Sequence, residues 1–415
     1  MINPLLGILV FVTAVSGADT PAPWLLPNFA DRLELVVTNP SDTAVETLAV
    51  VPVAEAARTS LGFPGTLSIV IDPSGTRSVL PSQSDDLDGD GIPDEFVFPV
   101  KLAAHEERVL HIYYSMTLRE PIPWPKRVHA NHSFGYNRST IALESEVIGY
   151  RTYGGFFLDI QARLKDRPGL NNTLVGFLGS GNAEPAGMDI IHLGDTLGLG
   201  GLFLRSGTDL FQPPLNMPDY AHKPAPIEAP VYRVIADGPI RAIVEARMDS
   251  WTIGQDAVRI VARYSIAGGR SDVECRFDIS PIQVSRTYEV GAGIRHLPRM
   301  EASHAQGRLS LSGEQNQKTG KLAMALYYDP ATAAQVSAVK TKDDANEAVV
   351  FNDRLTAGHA IQGRYRVAAA WSGSGITNLL QHLATVEHEA RATVTTGRYQ
   401  HTHTPRPDRV EGESD

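Results

Sequence analysis

The sequence predicts an all-β protein: a small N-terminal Ig-like β-sandwich, then a large antiparallel β-supersandwich with a C-terminal helix. Three observations predict it. Short runs of β-branched and aromatic residues recur along the chain, separated by Asn, Asp, Gly and Pro turns. Apolar residues alternate within them, as in EFVFPVKL, where Phe96, Phe98, Val100 and Leu102 fall on one side. Near the C-terminus, ITNLLQHLATVEHEARA instead has helical spacing, with Ile376, Leu379, Leu380, Leu383 and Val386 on one face. The 415 residues exceed what one ordinary core holds, so two domains are expected, and 42% apolar residues suffice to fill them.

Taken in order, MINPLLGILVFVTAVSGADTPAP opens the chain with a short apolar run ending in small residues. Residues 1–18 read as a signal peptide, although no Lys or Arg precedes the run. The run is too short for a membrane span, and the protein is expected to be secreted or periplasmic. Residues 22–118 hold RLELVVTN, ETLAVVPV, TLSIVID, EFVFPVKL and RVLHIYYS, the runs of the small sandwich. PIPWPKRVHAN, residues 121–131, is proline-rich and reads as the connection. Residues 122–396 form the large sandwich. There YRVIADGPIRAIVEARMDSW gives two strands around a D-G-P turn, and AVRIVARYSIAGG and SDVECRFDIS continue the meander. The single cysteine, Cys275, lies in one of these runs and reads as a small buried hydrophobe. Residues 397–415 are polar and proline-bearing, and read as a disordered tail.

Charge narrows the function. A net charge of −10 disfavours nucleic acid or an anionic membrane as partner, since both select a basic surface. The chain lacks G-x-S-x-G, H-E-x-x-H and C-x-x-C, so serine-hydrolase and zinc-peptidase readings have no support.

DDLDGDGIPDEF places Asp86, Asp88 and Asp90 two apart, with Gly91 following and Asp94 four beyond. That spacing can turn alternate carboxylates toward one centre, and an all-oxygen set favours Ca²⁺ outside the cytosol. The loop differs from an EF-hand: Val97 stands where the bidentate Glu would be, and strands flank it. All ligands come from one short loop, so the ion is read as structural.

Three segments carry candidate chemistry. ESEVIGYRTYGG offers Glu144, Glu146, Tyr150, Arg151 and Tyr153; in a strand, Tyr150 and Arg151 point to opposite faces. GMDIIHLGDTLGLGG sets Asp189, His192 and Asp195 among glycines, and Asp189 with His192 can form a base and its orienter. RVHANHSFGYN supplies His129, His132 and Tyr136. Arg241, after the D-G-P turn, His296 and Trp371 are further cleft candidates; Trp371 can stack on a sugar ring or fill the core. Each segment also has a purely structural reading, as a polar-faced strand or a glycine-rich corner.

In chain order, DLDGDGIPDEFVF, ESEVIGYRTY, GMDIIHLGDTLGLGG, VIADGPIRAIVEAR and AAAWSGSG with its following helix resemble the secreted family called domain of unknown function 4861. The family occurs among carbohydrate-degrading systems, so the resemblance implies action on polysaccharide, including uronic-acid-containing chains. Members commonly carry a His-bearing stretch before the GMD block; GFLGSGNAEPA here has none, so the resemblance leaves two readings, an inactive or altered chain or His192 in that place. The VIADGPIRAIVEAR block is also similar to the large sandwich of sugar mutarotases and several polysaccharide lyases. The expected chemistry is β-elimination, with Arg151 neutralising a uronate, Tyr150 and His192 as acid and base, and His132, Tyr136, Glu146, Arg241 and Trp371 holding the glycan. A glycan-binding module without catalysis and a glycoside hydrolase or epimerase are the alternatives.

Overall fold

The computed structural model describes residues 24–403 except 61, 75–76, 116–121, 136–137, 153–154, 166–182, 185–186, 192, 194–195, 215–229, 315–319 and 342–344. The expected leader, residues 1–18, lies outside the described residues. The fold is all-β, with antiparallel sheets throughout.

The N-terminal strands form two small sheets. Asp31–Thr38 pairs with Glu107–Tyr114 along its whole length, and Val45–Pro52 pairs with Glu95–Leu102. Phe96, Phe98, Val100 and Leu102 are all buried, as their alternation requires, and they meet Leu33, Leu35, Val37, Leu110 and Ile112 in one cluster. One expectation fails here. The strand Thr395–His403 adds to the free edge of Asp31–Thr38, so residues 397–403 are ordered sheet and not a disordered tail. Its pairing satisfies backbone groups that an exposed edge would leave open.

Residues 128–371 surround a second, larger cluster. Eight strands form one sheet, whose middle holds the long strands Arg241–Ile253, Asp256–Ala267, Asp272–Gln283 and Ile361–Trp371. Asp256–Ala267 alternates strictly between buried and half-buried residues, the signature of a strand with one face inside. Facing it are a six-stranded sheet that includes Ile148–Thr152, Asp159–Arg163 and Gly187–Asp189, and a five-stranded sheet that includes Leu199–Ser206 and Tyr288–Arg295. A bridge between Leu158 and Leu199 joins these two. Cys275 is fully buried, and burial pushes its thiol up to about 12, so it packs as a small apolar group.

The helix Leu379–Arg391 lies against the eight-stranded sheet through Leu379, Leu383, Val386 and Ala390. It lands on Ala323, Ala325, Ala368 and Ala370, whose small side chains let the helix approach closely. Asn378 caps it, accepting the Gln381 amide at 3.1 Å. Ile376 precedes the helix and Leu380 is exposed, so the apolar face is narrower than its spacing predicted.

The two parts join at a buried polar contact. Arg241 donates to Asp85 and, at 2.6 Å, to Glu95, both from the small sandwich. The Gln83 amide completes the joint: its oxygen accepts the Ile240 and Arg241 amides at 3.0 Å each, and its nitrogen donates to the Arg241 carbonyl at 2.8 Å. Only a residue without Cβ fits at 238, because a methyl there would lie 2.1 Å from the Gln83 amide.

Candidate functional site

The six-stranded sheet sends its two faces to different fates. Ile148, Tyr150, Ile160 and Ala162 point into the large core. The opposite parity carries Glu144, Arg151, Asp159, Gln161, Arg163 and Asp189, and the register sets them side by side. Arg151 lies opposite Asp159, Gln161 opposite Asp189, and Gly149 between Glu144 and Gln161.

These side chains form a closed ionic constellation. The Arg151 guanidinium donates to Asp159 at 3.2 Å, and the same nitrogen lies 3.6 Å from Asp189. Gln161 donates to Asp159 at 3.2 Å, and the Ile160 amide donates to the other Asp159 oxygen at 2.8 Å. Beside them Arg163 pairs with Glu144 and donates to the Ser145 carbonyl at 2.9 Å. Asp159 and Asp189 are 2% and 4% exposed. Burial raises both carboxyls above the usual range, against the pull of Arg151; Asp189 rises further because Asp159 stands beside it. Asp189 Oδ1 and Arg163 Nη1 have no hydrogen-bond partner among the described residues. Two buried acids served by one base can together retain a proton.

The sequence-predicted residues thus divide. Arg151 and Asp189 converge. Tyr150 does not join them: it is fully buried on the core side, where its hydroxyl donates to the Ser271 carbonyl at 2.6 Å and accepts the Ala369 amide at 3.1 Å. Burial raises its pKa far above the ordinary phenol value, the opposite of what a proton-transfer tyrosine requires. Tyr150→Phe should therefore cost about 1–3 kcal/mol of stability, read by denaturant unfolding, and leave any turnover by the folded protein unchanged. A turnover loss in fully folded Tyr150→Phe would contradict this placement.

His192 and Tyr136 lie outside the described residues. His132 is exposed on Val128–Gly135, the edge strand two removed from the Arg151 strand. Glu146 takes Arg127 at 2.7 Å and the Gly269 amide at 2.8 Å, a latch between strand turns. Arg241 is the joint described above, its charge met by two carboxylates. Trp371 is 4% exposed within the large core, so it offers no stacking face. Asp159, Gln161 and Arg163 were missed, although polar alternation in DIQAR marks them as one face.

In the acidic loop, Asp86, Asp88 and Asp94 bring carboxylate oxygens within 4.8 Å of one another, while Asp90 falls outside the group. Asp90 instead accepts the Ile92 amide at 2.7 Å, and Asp86 accepts those of Gly89 and Gly91. Arg233 of the large sandwich donates to the Asp88 carbonyl at 3.2 Å, tying the loop across the joint.

No helix among the described residues is long and apolar enough to cross a membrane. No curated protein matches the chain. Among solved structures, an alpha-mannosidase from Enterococcus faecalis V583 is 9% identical with a TM-score of 0.49, over 88% of this chain and 46% of that one. A glycosyl hydrolase family 38 protein from Enterococcus faecalis is 10% identical with a TM-score of 0.47, over 89% and 47%. The chain spans about half the length of these structures, and likeness this remote bears on neither activity nor substrate. The family model for the domain of unknown function DUF4861 matches residues 37–395, which include the large sandwich with its ionic centre and most of the small one: the chain belongs to that family.

Proposed function

We propose that the protein is a carbohydrate-active enzyme of uronic-acid-containing glycans, with Arg151, Asp159 and Asp189 as its acid–base centre. One observation carries the reading: a single guanidinium serves two buried carboxyls, both raised toward values useful for proton transfer. In β-elimination, Arg151 draws charge from the uronate carboxylate, which acidifies the neighbouring C–H. Asp159, the carboxylate nearer to Arg151 at 3.2 Å against 3.6 Å for Asp189, takes that proton. The freed electron pair forms the C=C bond as the β C–O bond breaks, and Asp189 protonates the leaving oxygen. Both acids are nearly inaccessible here, so this chemistry requires the polar face to open to substrate. The apolar leader at residues 1–18 supports export as part of the reading.

Uronate glycans incubated with the protein should give the ultraviolet absorbance of an unsaturated uronide. New reducing ends without that absorbance would favour hydrolysis, which the pair of carboxyls also suits. Neither signal across a broad set of uronate glycans would overturn the enzyme reading.

We also propose that the acidic loop holds Ca²⁺, on the strength of its convergent, all-oxygen donor set. The role is structural, since Arg233 couples the loop to the large sandwich. Ca²⁺ at about 100 times its Kd should stabilise the protein by about 2.7 kcal/mol, seen as a raised unfolding midpoint. Asp88→Asn should abolish the shift; an equal shift in that variant would count against the site.

A further inference from the structure

On the far face of the eight-stranded sheet, one register row breaks an ordinary rule of sheet pairing. Arg233 lies opposite Glu245, Glu245 opposite Arg263, Arg263 opposite Arg276, and Arg276 opposite Arg364. Like charges directly opposite one another destabilise a sheet, yet three arginines stand consecutively on adjacent strands. The nearby carboxylates do not balance them. Glu245 takes Arg263 at 2.7 Å, and Glu274 is divided between Arg276 and Arg366. Arg364 is exposed, and among the described residues no carboxylate lies within ion-pair distance of it.

The three arginines, with Arg259, line a groove of about 1000 Å³ that also reaches the edges of Phe277 and Phe351, two rings of the large core. The acids in its lining keep their charge: Asp278 accepts from Ser280 and Gln362, Asp353 from His359, and Asp329 from the Ala331 amide. Arg259 and Arg276 keep 43% and 61% of their side-chain surface exposed. Four arginines against three aspartates leave the lining one positive charge in excess on a chain of net charge −10, and the guanidinium row places that excess where an anion can meet it.

We infer that this groove binds an acidic polysaccharide chain, with successive carboxylates lying along the guanidinium row. Adjacent strands are about 4.8 Å apart, so three guanidiniums run along a line of roughly 10 Å. An extended polyanion can follow that line, whereas a single small anion can meet only part of it. Guanidinium forks also match carboxylates bidentately. The groove lining has no row of exposed aromatic rings on which nucleic-acid bases would stack. That the polyanion is a glycan rests on the function proposed above; that it is anionic rests on the groove alone.

The test is equilibrium binding of polygalacturonate, with its fully methyl-esterified form, monomeric galacturonate and single-stranded DNA as comparisons. The full-length protein should bind polygalacturonate, more weakly as salt rises, and bind the ester and the monomer at least about tenfold more weakly. Arg276→Ser with Arg364→Ser, both at exposed positions outside the core, should lose at least about tenfold in affinity, with an unchanged unfolding midpoint as control. If polygalacturonate is cleaved but the double variant binds like wild type, the groove inference falls and the enzyme reading stands. If binding depends on both arginines without cleavage, the groove stands and the enzyme reading falls. Equal, arginine-dependent binding of single-stranded DNA, or no polyuronate binding, would overturn the ligand assigned here.

Discussion

Arg241→Ala is expected to destabilise the protein by about 3–5 kcal/mol, because it strands two carboxylates at the joint between the sandwiches. Asp85 is 2% exposed and has no access to water that would replace the guanidinium. The loss is larger than one ion pair suggests. Gln83 holds the same segment through three bonds to the backbone at 240–241, and its amide also donates to Asp85 at 2.6 Å. Denaturant unfolding should show the lower midpoint, and the small sandwich should begin to unfold separately from the large one. A change below about 1 kcal/mol would mean the joint is solvated and the two parts are held by other contacts.

Asp189→Asn should change how stability depends on pH. Burial raises the carboxyls of Asp159 and Asp189 in the fold, whereas in the unfolded chain each returns to about 3.9. A raised carboxyl contributes stability that is fully present below the unfolded value and is lost as pH rises through the folded value. Wild type should therefore lose stability between about pH 4 and about pH 8, by about 1.4 kcal/mol for every tenfold by which folding weakens the acid. The neutral amide carries no such charge to bury, so Asp189→Asn should be the flatter of the two and the more stable at the alkaline end. Parallel curves would show that the pair does not hold a proton.

Much of this was legible in the sequence, for physical reasons that differ by element. Period-two alternation marks Phe96–Leu102 because Phe96, Phe98, Val100 and Leu102 are all buried, while the other face runs from buried Val97 through half-buried Pro99 to exposed Lys101. Parity alone separates Tyr150 from Arg151, and the structure sends one to the core and the other to the ionic centre. The role of Arg241 was illegible, since its partner Asp85 is 156 residues away and nothing local announces it. Trp371 could stack on a sugar or fill the core as far as its local sequence goes, and only the fold places it in the large core while Ala368 and Ala370 meet the helix. The strand at 395–403 is polar on both faces, so no alternation distinguishes TTGRYQHTH from a solvated tail. The arginine row was equally hidden: Arg263, Arg276 and Arg364 become neighbours only through register.

The acid–base centre is tested most directly by turnover of a uronate glycan in Asp159→Asn and Asp189→Asn, measured where both variants are fully folded. The account predicts that each falls by at least about 100-fold, with substrate affinity at the arginine groove retained. Cleavage by both variants at the wild-type rate would place the chemistry elsewhere in the molecule.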